Sequence, residues 1–208
     1  MSSYPTTVLQ SRGSERLLLD EFSHRLINEL TAAVGMIDLA ALRAKTTDAR
    51  HTLETVRDSL VSLADVHKAL HAPRLRTRID ARLYFQYLCD ALRKARLQHR
   101  GIELQLLAQT LLIDSDKCWR LGMIVVELIT NSANHAFRRA PGTIKVDIRG
   151  VGATVRCHVE DDGSSRGLPV QPGTGLSIVN ALARELAGTF DQRFHSSGSV
   201  STLTFELQ

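Results

Sequence analysis

Cysteines, aromatic residues and long apolar runs are all scarce in this 208-residue chain. The three cysteines, Cys89, Cys118 and Cys157, have no paired spacing, which argues against a disulfide framework and a zinc site. No stretch approaches the ~20 uninterrupted apolar residues of a membrane-spanning helix, and residues 1–12 contain no apolar run typical of a signal peptide. We therefore expect a cytoplasmic protein with reduced, buried thiols and no membrane span.

Aromatic residues make up only 5% of the chain, whereas 26 Lys and Arg residues give it a formal net charge of +4. No aromatic residue is interleaved within its two basic clusters, and no helix-turn-helix or zinc-finger pattern accompanies them. The clusters are Arg74, Arg76 and Arg78, followed by Arg93, Lys94, Arg96 and Arg100. A solvated basic surface explains them better than a nucleic-acid site, so we expect no nucleic-acid partner.

Apolar residues recur every three or four positions in two segments of the first third of the chain, which predicts two helices. The first runs from about Glu15 to Arg43, and the second begins after a cap at positions 46–48 and reaches Leu70. Pro73 ends the pair, which forms an antiparallel hairpin. Because a lone hairpin cannot bury apolar stripes this wide, we expect a homodimer with a four-helix bundle. Residues 1–14 would form a short N-terminal arm and residues 15–73 the hairpin domain.

The remainder, residues 80–208, is predicted to be a separate α+β domain. Strands in runs, each with one solvated face, alternate with helices, which is typical of a sandwich of a mixed sheet and helices. We predict helices at 80–98, 114–137 and 175–187, and strands at 102–107, 143–149, 155–159, 190–195 and 199–207.

The first helix presents one polar line beside its apolar stripe. Glu21, His24, Asn28 and Thr31 are spaced three, four and three apart and so share a face. An exposed imidazole suits nucleophilic phosphoryl transfer, because one ring nitrogen can attack while a hydrogen bond to Glu21 or Asn28 fixes the other. On this helix alone, an ordinary exposed histidine is the simpler interpretation.

Two further polar clusters lie in the second domain. Glu127, Asn131 and His135 are four apart on an otherwise apolar helix, where polar side chains need partners. Magnesium and a triphosphate would be such partners, since Asn offers a carbonyl oxygen and Glu a carboxylate; hydrogen bonds to a neighbouring loop are the alternative. Asp161, with Gly163 after it, ends a strand and could accept a hydrogen bond from the exocyclic amine of adenine, although Asp-Gly is also a common turn.

A third cluster, residues 173–176, opens the last helix. Glycines at a helix N-terminus let backbone N–H groups cradle phosphate oxygens, with help from the helix dipole. Neither a Walker lysine motif nor a G-x-G-x-x-G fingerprint occurs, which disfavours P-loop and Rossmann folds.

In combination these segments resemble a known family. Residues 21–30 are similar to the H-R-x-x-N phosphoacceptor box of HWE and HisKA_2-type sensor histidine kinases, and residues 127–137, 161–163 and 173–176 resemble the N, G1 and G2 boxes of GHKL (Bergerat-fold) ATPases. The resemblance implies a two-domain protein in which a helical hairpin precedes a Bergerat-type sandwich. It implies that His24 is the phosphorylated residue, with Glu21, Asn28 and Glu127 as further catalytic residues. It implies ATP and Mg²⁺ as cofactors, with Asn131 on the metal and Asp161 on adenine. The remaining nucleotide-binding residues would be Asn134, His135, Gly163, Gly173, Thr174, Gly175 and Leu176.

Two positions depart from the family pattern. Asn134 replaces the usual Lys of the N box, and Ser165 replaces the second glycine of D-x-G-x-G. Losing a cation near a triphosphate weakens binding.

The leading hypothesis is an ATP-dependent protein-histidine kinase that passes its phosphoryl group to an aspartate of a response-regulator receiver domain. One alternative is a histidine phosphotransferase with a vestigial ATP pocket that relays phosphate between receiver domains, and another is a binding module that uses neither ATP nor phosphohistidine. Because only residues 1–14 precede the hairpin, the input is expected from an upstream sensor protein.

Overall fold

The computed structural model describes residues 7–70, 78–137, 140–164 and 174–207, without the side chains of residues 7–20, 22, 23 and 174. Contacts divide the chain into residues 1–68 and residues 69–208. The predicted limits of the two domains, 15–73 and 80–208, stay a prediction. The basic cluster at Arg74 and Arg76 lies outside the described residues.

The first unit is a helical hairpin, as the apolar periodicity predicts. Helix α1 spans Thr7–Arg43 and helix α2 spans Thr47–Leu70. The backbone N–H of Ala49 donates to Thr46 Oγ1 at 3.3 Å, so Thr46 caps α2. Asp38 of α1 and Arg57 of α2 form an ion pair at 3.6 Å between Oδ1 and Nη1. The predicted start of α1 at Glu15 is wrong by eight residues, because extending a formed helix by further turns costs much less than nucleating one.

A single copy of the hairpin leaves large apolar side chains in solvent. Met36, Leu39 and Leu42 of α1 are 66%, 55% and 77% exposed, and Val56 of α2 is also exposed. The predicted stripe residues Leu26, Leu30, Val34 and Ile37 are only half-buried. These surfaces support the expectation that the hairpin buries more area in an assembly than it does alone.

The second unit contains three helices and two sheets within its described residues. The helices are α3 (Ala81–Leu92), α4 (Ser115–Asn131) and α5 (Thr174–Glu185). The strands are β1 (Arg78–Asp80), β2 (Ile102–Ala108), β3 (Leu112–Asp114), β4 (Gly142–Val151), β5 (Thr154–Asp161), β6 (Thr189–His195) and β7 (Gly198–Glu206). Strands β2, β4, β5, β7 and β6 form the main sheet in that order, with β2 parallel to β4 and the other pairs antiparallel.

Short polar segments set the starts of α3 and α4. The side chain of Asp80 accepts a hydrogen bond from the Arg82 N–H at 2.9 Å, and Asp114 accepts one from the Asp116 N–H at 3.1 Å. Both aspartates are therefore helix N-caps, at the positions where the sequence analysis began these two helices. They also end strands β1 and β3, which pair with each other and which the sequence analysis missed, because three residues are too short to show alternation.

Helices α3 and α4 each continue into a π-helical turn rather than ending as regular α-helix. After α3, residues 93–97 form a π-helical turn and residues 98–100 a 3₁₀ turn, and Gly101 follows with φ of 67°. After α4, residues 132–136 form a second π-helical turn. The predicted helix ends at Gln98 and Phe137 are therefore wrong in helix type, because apolar spacing alone does not distinguish an α-helical turn from a π-helical one.

The core lies between one face of the main sheet and the helices. Alternate residues of β4 and β5 are buried, among them Ile144, Ile148 and Val159, and the residues between them are more exposed. All three cysteines are buried, as predicted. Burial raises the pKa of Cys89 and Cys118 to about 12 and raises that of Cys157 further, so the thiols stay protonated near neutral pH. No helix of the described residues is long and apolar enough to cross a membrane.

Candidate active site

The polar end of α4 forms one wall of the candidate site. The helix is lined by buried apolar residues up to Leu128 and Ile129, whereas Glu127 and Asn131 are half-buried. Directly after Asn131 the helix widens into the π-helical turn of residues 132–136. Such turns interrupt the regular hydrogen-bond ladder and often occur at functional sites.

Gly175, at the start of α5, lies directly against that wall. A Cβ atom at position 175 would be 1.9 Å from Glu127 Oε1 and 3.3 Å from Asn131 Nδ2. Any side chain there would displace Glu127, so the close approach requires glycine. The structure thus brings Gly175 next to Asn131 and next to Glu127, which is 48 positions away in the sequence. The N-terminal end of α5, with its unpaired N–H groups, lies at the same place.

Asp161, at the end of β5, is a buried carboxylate held by three donors. It is only 3% exposed. Its Oδ2 accepts hydrogen bonds from Ser132 Oγ at 2.8 Å and Ser199 Oγ at 2.6 Å, and its Oδ1 accepts one from the Gly163 N–H at 3.1 Å. These bonds offset the cost of burying the charge and fix the carboxylate. Since two carboxylate oxygens offer about four acceptor positions, one more donor can be accommodated.

Two glycines bring the backbone close to this carboxylate. A Cβ at Gly163 would lie 2.4 Å from the Cβ of Ala136, so the strand end packs onto the π-helical turn. A Cβ at Gly198, where φ is +134°, would lie 1.8 Å from the carbonyl oxygen of Asp161. The sequence analysis gave Gly163 as a nucleotide-binding residue; the close approach that the structure describes is to the π-helical turn after α4.

The remaining predicted nucleotide-binding residues are less closely gathered. Asn134 and His135 are exposed on the π-helical turn, and Leu176 is half-buried in α5. Thr174 begins α5. Gly173, Ser165 and most of the predicted lid lie outside the described residues.

The predicted phosphoacceptor lies on α1 in the first unit. His24 and Asn28 are exposed there, together with Glu21. Glu21 Oε1 accepts hydrogen bonds from Nε of Arg25 at 3.1 Å and from Nη2 at 3.0 Å. The described partner of Glu21 is therefore Arg25, and the roles of Glu21 and Asn28 toward His24 stay predictions.

The side-chain oxygens near the end of α4 suit Mg²⁺, which also binds phosphate and water, better than a metal ion that is bound by protein side chains alone. Among the described residues, no group of three or more His, Cys, Asp or Glu side chains is placed to hold a metal ion. Mg²⁺ is commonly bound through one or two protein oxygens together with phosphate oxygens and water. The half-buried Glu127 and Asn131, brought together beneath Gly175, fit that pattern.

Three contributors to the site were missed from the sequence: Ser132, Ser199 and Arg100. Ser199 faces Asp161 across the β5–β7 pairing, which strand spacing alone does not specify. Arg100 Nη1 donates to Asn134 Oδ1 at 3.2 Å, and its Nη2 donates to the carbonyl oxygen of Ala133. Arg93 also contacts the protein, since its Nη2 donates to the carbonyl oxygen of Leu104 at 2.9 Å. Both arginines are half-buried, and the solvated basic surface stays a prediction.

Comparison with known protein families gives two matches that together span most of the chain. Residues 21–96 match a model described as histidine kinase, and residues 88–204 match one described as histidine kinase-like ATPase domain. The sensor histidine kinase PdtaS of Mycolicibacterium smegmatis is 26% identical over 204 residues, which cover 91% of this chain and 39% of that protein. The blue-light-activated histidine kinase 2 of Erythrobacter litoralis is 26% identical over 202 residues, covering 91% and 57%.

Solved structures show the same fold. The histidine kinase domain of an Erythrobacter litoralis blue-light activated histidine kinase gives a TM-score of 0.60 at 22% identity, covering 86% of this chain and 96% of that domain. Full-length ShkA in complex with AMPPNP gives 0.53 at 21% identity, covering 92% and 46%. The chain thus spans less than half the length of PdtaS and of ShkA.

Proposed function

Because this chain belongs to the histidine kinase family with a histidine kinase-like ATPase domain, we propose that it phosphorylates its own His24 from Mg-ATP and passes the phosphoryl group to an aspartate of a response-regulator receiver domain. Family membership places it in two-component signalling, and the ATPase-type domain implies ATP binding. The observation that supports the finer proposal most is the junction of Glu127, Asn131 and Gly175 beside the fixed carboxylate of Asp161.

Each part of this site has a role in the proposed reaction. Asp161 accepts a hydrogen bond from the exocyclic amine of adenine, and the N–H groups at the start of α5 bind phosphate oxygens. Glu127 and Asn131 would hold Mg²⁺, which would neutralise charge on the phosphates. The protein mainly positions the reactants and stabilises charge, since phosphoryl transfer asks little covalent chemistry of it.

The chemical step forms one bond and breaks another. A neutral imidazole nitrogen of His24 attacks the γ-phosphorus of ATP, the N–P bond forms as the bond to the bridging oxygen breaks, and ADP leaves with that electron pair. The second ring nitrogen then loses its proton to solvent or to a neighbouring carboxylate. In the next step a carboxylate oxygen of the receiver aspartate attacks the phosphorus, the N–P bond breaks as the O–P bond forms, and His24 takes up a proton from solvent to return to neutral imidazole.

Partners follow from the same proposal. Histidine kinases generally dimerise, and the exposed Met36, Leu39 and Leu42 of α1 offer an apolar surface for a second copy. Because relatives extend well beyond the region matched here, the sensor that supplies the input and the receiver that accepts the phosphate are proposed as classes of partner only. A cytoplasmic location is part of the same proposal.

One observation favours a second candidate, a histidine phosphotransferase with a vestigial pocket: Asn134 stands at the usual N-box lysine position. The kinase is favoured by the carboxylates of Glu127 and Asp161, by Asn131, and by the close contact of Gly175 with Glu127.

Calorimetric titration with Mg-ATP distinguishes the two functions. Wild type should bind, and Asn131→Ala should bind at least about 10-fold more weakly because a hydrogen-bonding and metal-ligating group is lost. The matched control is Asn180→Ala, which removes an exposed amide of α5 that donates to the carbonyl oxygen of Leu176 at 2.9 Å, and its affinity should equal that of wild type. No binding by wild type at millimolar ATP would overturn the kinase proposal in favour of the phosphotransferase.

A further inference from the structure

The N-box segment lacks a cation where a triphosphate needs one. Residues 127–137 contain neither Lys nor Arg, and His135 is the one imidazole among them. The carboxylates of Glu127 and Asp161 lie at the same segment. ATP bound there would bring about four further negative charges close to these carboxylates. Charge-assisted hydrogen bonds from Lys or Arg are the usual way to offset such charge.

Arg100 reaches this segment from a different part of the chain. It ends the 3₁₀ turn of residues 98–100, and the left-handed Gly101 follows it. Its guanidinium contacts two consecutive residues of the π-helical turn, the side-chain oxygen of Asn134 and the carbonyl oxygen of Ala133. The same turn contacts Asp161 through Ser132 and packs on Gly163 through Ala136.

The exposure of these groups leaves the guanidinium accessible. Arg100 is half-buried, whereas its partner Asn134 is exposed. An arginine buries its aliphatic stem and keeps its charged head in solvent. A guanidinium has five N–H donors in a rigid fork, more than these two contacts use, and this fork matches phosphate geometry.

We propose that Arg100 supplies the cation that position 134 lacks and donates to the phosphates of bound ATP, a role that rests on the proposed function above. Asn134 orients the guanidinium through its side-chain oxygen. The cation that this site needs thus comes from the turn after α3 instead of from α4.

A purely structural role is the competing explanation. The π-helical turn leaves carbonyl groups without regular helical partners, and Arg100 satisfies one of them at Ala133. If that were its whole contribution, Arg100→Gln would change the shape of the pocket and lower the affinity for every ligand. A new cation at position 134 would then not restore the lost affinity.

The test compares Arg100→Gln with wild type in titrations with Mg-ATP and with adenosine. We expect the dissociation constant for Mg-ATP to rise about 10- to 100-fold and that for adenosine to change less than about twofold. Lys94→Gln is the matched control, since it removes the same charge from an exposed residue near the end of α3, and it should bind both ligands as wild type does.

Rescue provides the second arm. Adding Asn134→Lys to Arg100→Gln should restore most of the Mg-ATP affinity, because a cation returns to the same turn. An equal loss for ATP and adenosine, or a double variant no better than Arg100→Gln, would overturn the inference. Unchanged ATP binding by Arg100→Gln would overturn this inference alone, whereas no Mg-ATP binding by wild type would overturn the proposed function with it.

Discussion

Asp161 shows how a single charged side chain is kept inside this domain. Two serine hydroxyls and one backbone N–H donate to its two oxygens. Burying a carboxylate without such partners is very costly, so the two serine hydroxyls stabilise the charge of Asp161 even when no ligand is bound. The carboxylate keeps acceptor capacity for one further donor.

Replacing Asp161 by Asn should therefore weaken Mg-ATP binding. The amide retains one acceptor oxygen but loses the charge and turns a donor toward groups that also donate. We expect the dissociation constant to rise about 10- to 150-fold, equivalent to the ~1.5–3 kcal/mol of a hydrogen bond to a charged group. Calorimetry measures this effect, and a melting curve checks that the variant is folded.

The neighbouring Asp162 provides a control of the same chemistry. Asp162 is exposed. Its Oδ1 accepts a hydrogen bond from the Thr143 N–H at 2.7 Å, and the side-chain oxygen of an Asn can accept the same bond. Asp162→Asn should bind Mg-ATP as wild type does. Equal losses in both variants would show that Asp161 has no special role.

At this scale the sequence predicted residue types better than residue contacts. The spacing of Glu127 and Asn131 on an apolar helix indicated a shared polar face, and Asp161 stood out at the end of an alternating strand. The partners Ser132 and Ser199 could not be predicted, because Ser199 reaches Asp161 only through the β5–β7 register. Arg100 was missed because it is 34 residues from Asn134.

Helix α5 carries its one unusual backbone conformation at its C-terminal end. Ala187 has a φ of 51°, in the left-handed region that side chains other than glycine adopt at a cost, and its N–H donates to the Arg184 carbonyl at 2.9 Å. The sequence analysis predicted a helix that reaches residue 187, whereas α5 ends at Glu185. The left-handed residue lies one position before Gly188.

Ala187→Gly should stabilise the protein by about 1 kcal/mol, since glycine adopts this conformation without a Cβ clash. Ala181→Gly, in the middle of the same helix, should destabilise it by about 1 kcal/mol because glycine lowers helix propensity. Denaturant titration of both variants measures the two free energies of unfolding. A loss of stability in Ala187→Gly would contradict the account of this helix end.

Elements with enough residues to show a period were predicted well, whereas short or irregular ones were not. The alternation of residues 143–149 located β4, and the three-to-four spacing located α2. Strands β1 and β3 have three residues each, and apolar spacing does not distinguish a π-helical turn from an α-helical one. Their presence depends on tertiary packing, which no local pattern encodes.

Within its described residues, the hairpin exposes large apolar side chains on α1. Leu39 and Leu42 are 55% and 77% exposed, three positions apart on α1. Leaving such side chains in water forfeits about 1.5–3 kcal/mol for each that a partner could bury. This surface is the physical basis for proposing a dimer.

We expect wild type to have twice the 23.0 kDa mass of the chain in light scattering at micromolar concentration. Leu39→Glu combined with Leu42→Glu should shift it to the monomer mass, since two charges would have to be buried. His51→Glu adds a charge at an exposed position of α2 and should remain dimeric. A wild-type monomer, or a dimer that persists in the double variant, would contradict this assignment.

The central claim is that His24 accepts the γ-phosphate of ATP. The most direct test incubates the wild type, His24→Gln and Asn131→Ala with Mg²⁺ and γ-labelled ATP and follows label in the protein. The account predicts label in the wild type that is lost in acid and stable in base, as expected for phosphohistidine, and no label in His24→Gln or Asn131→Ala. Label that persists in His24→Gln would contradict the claim.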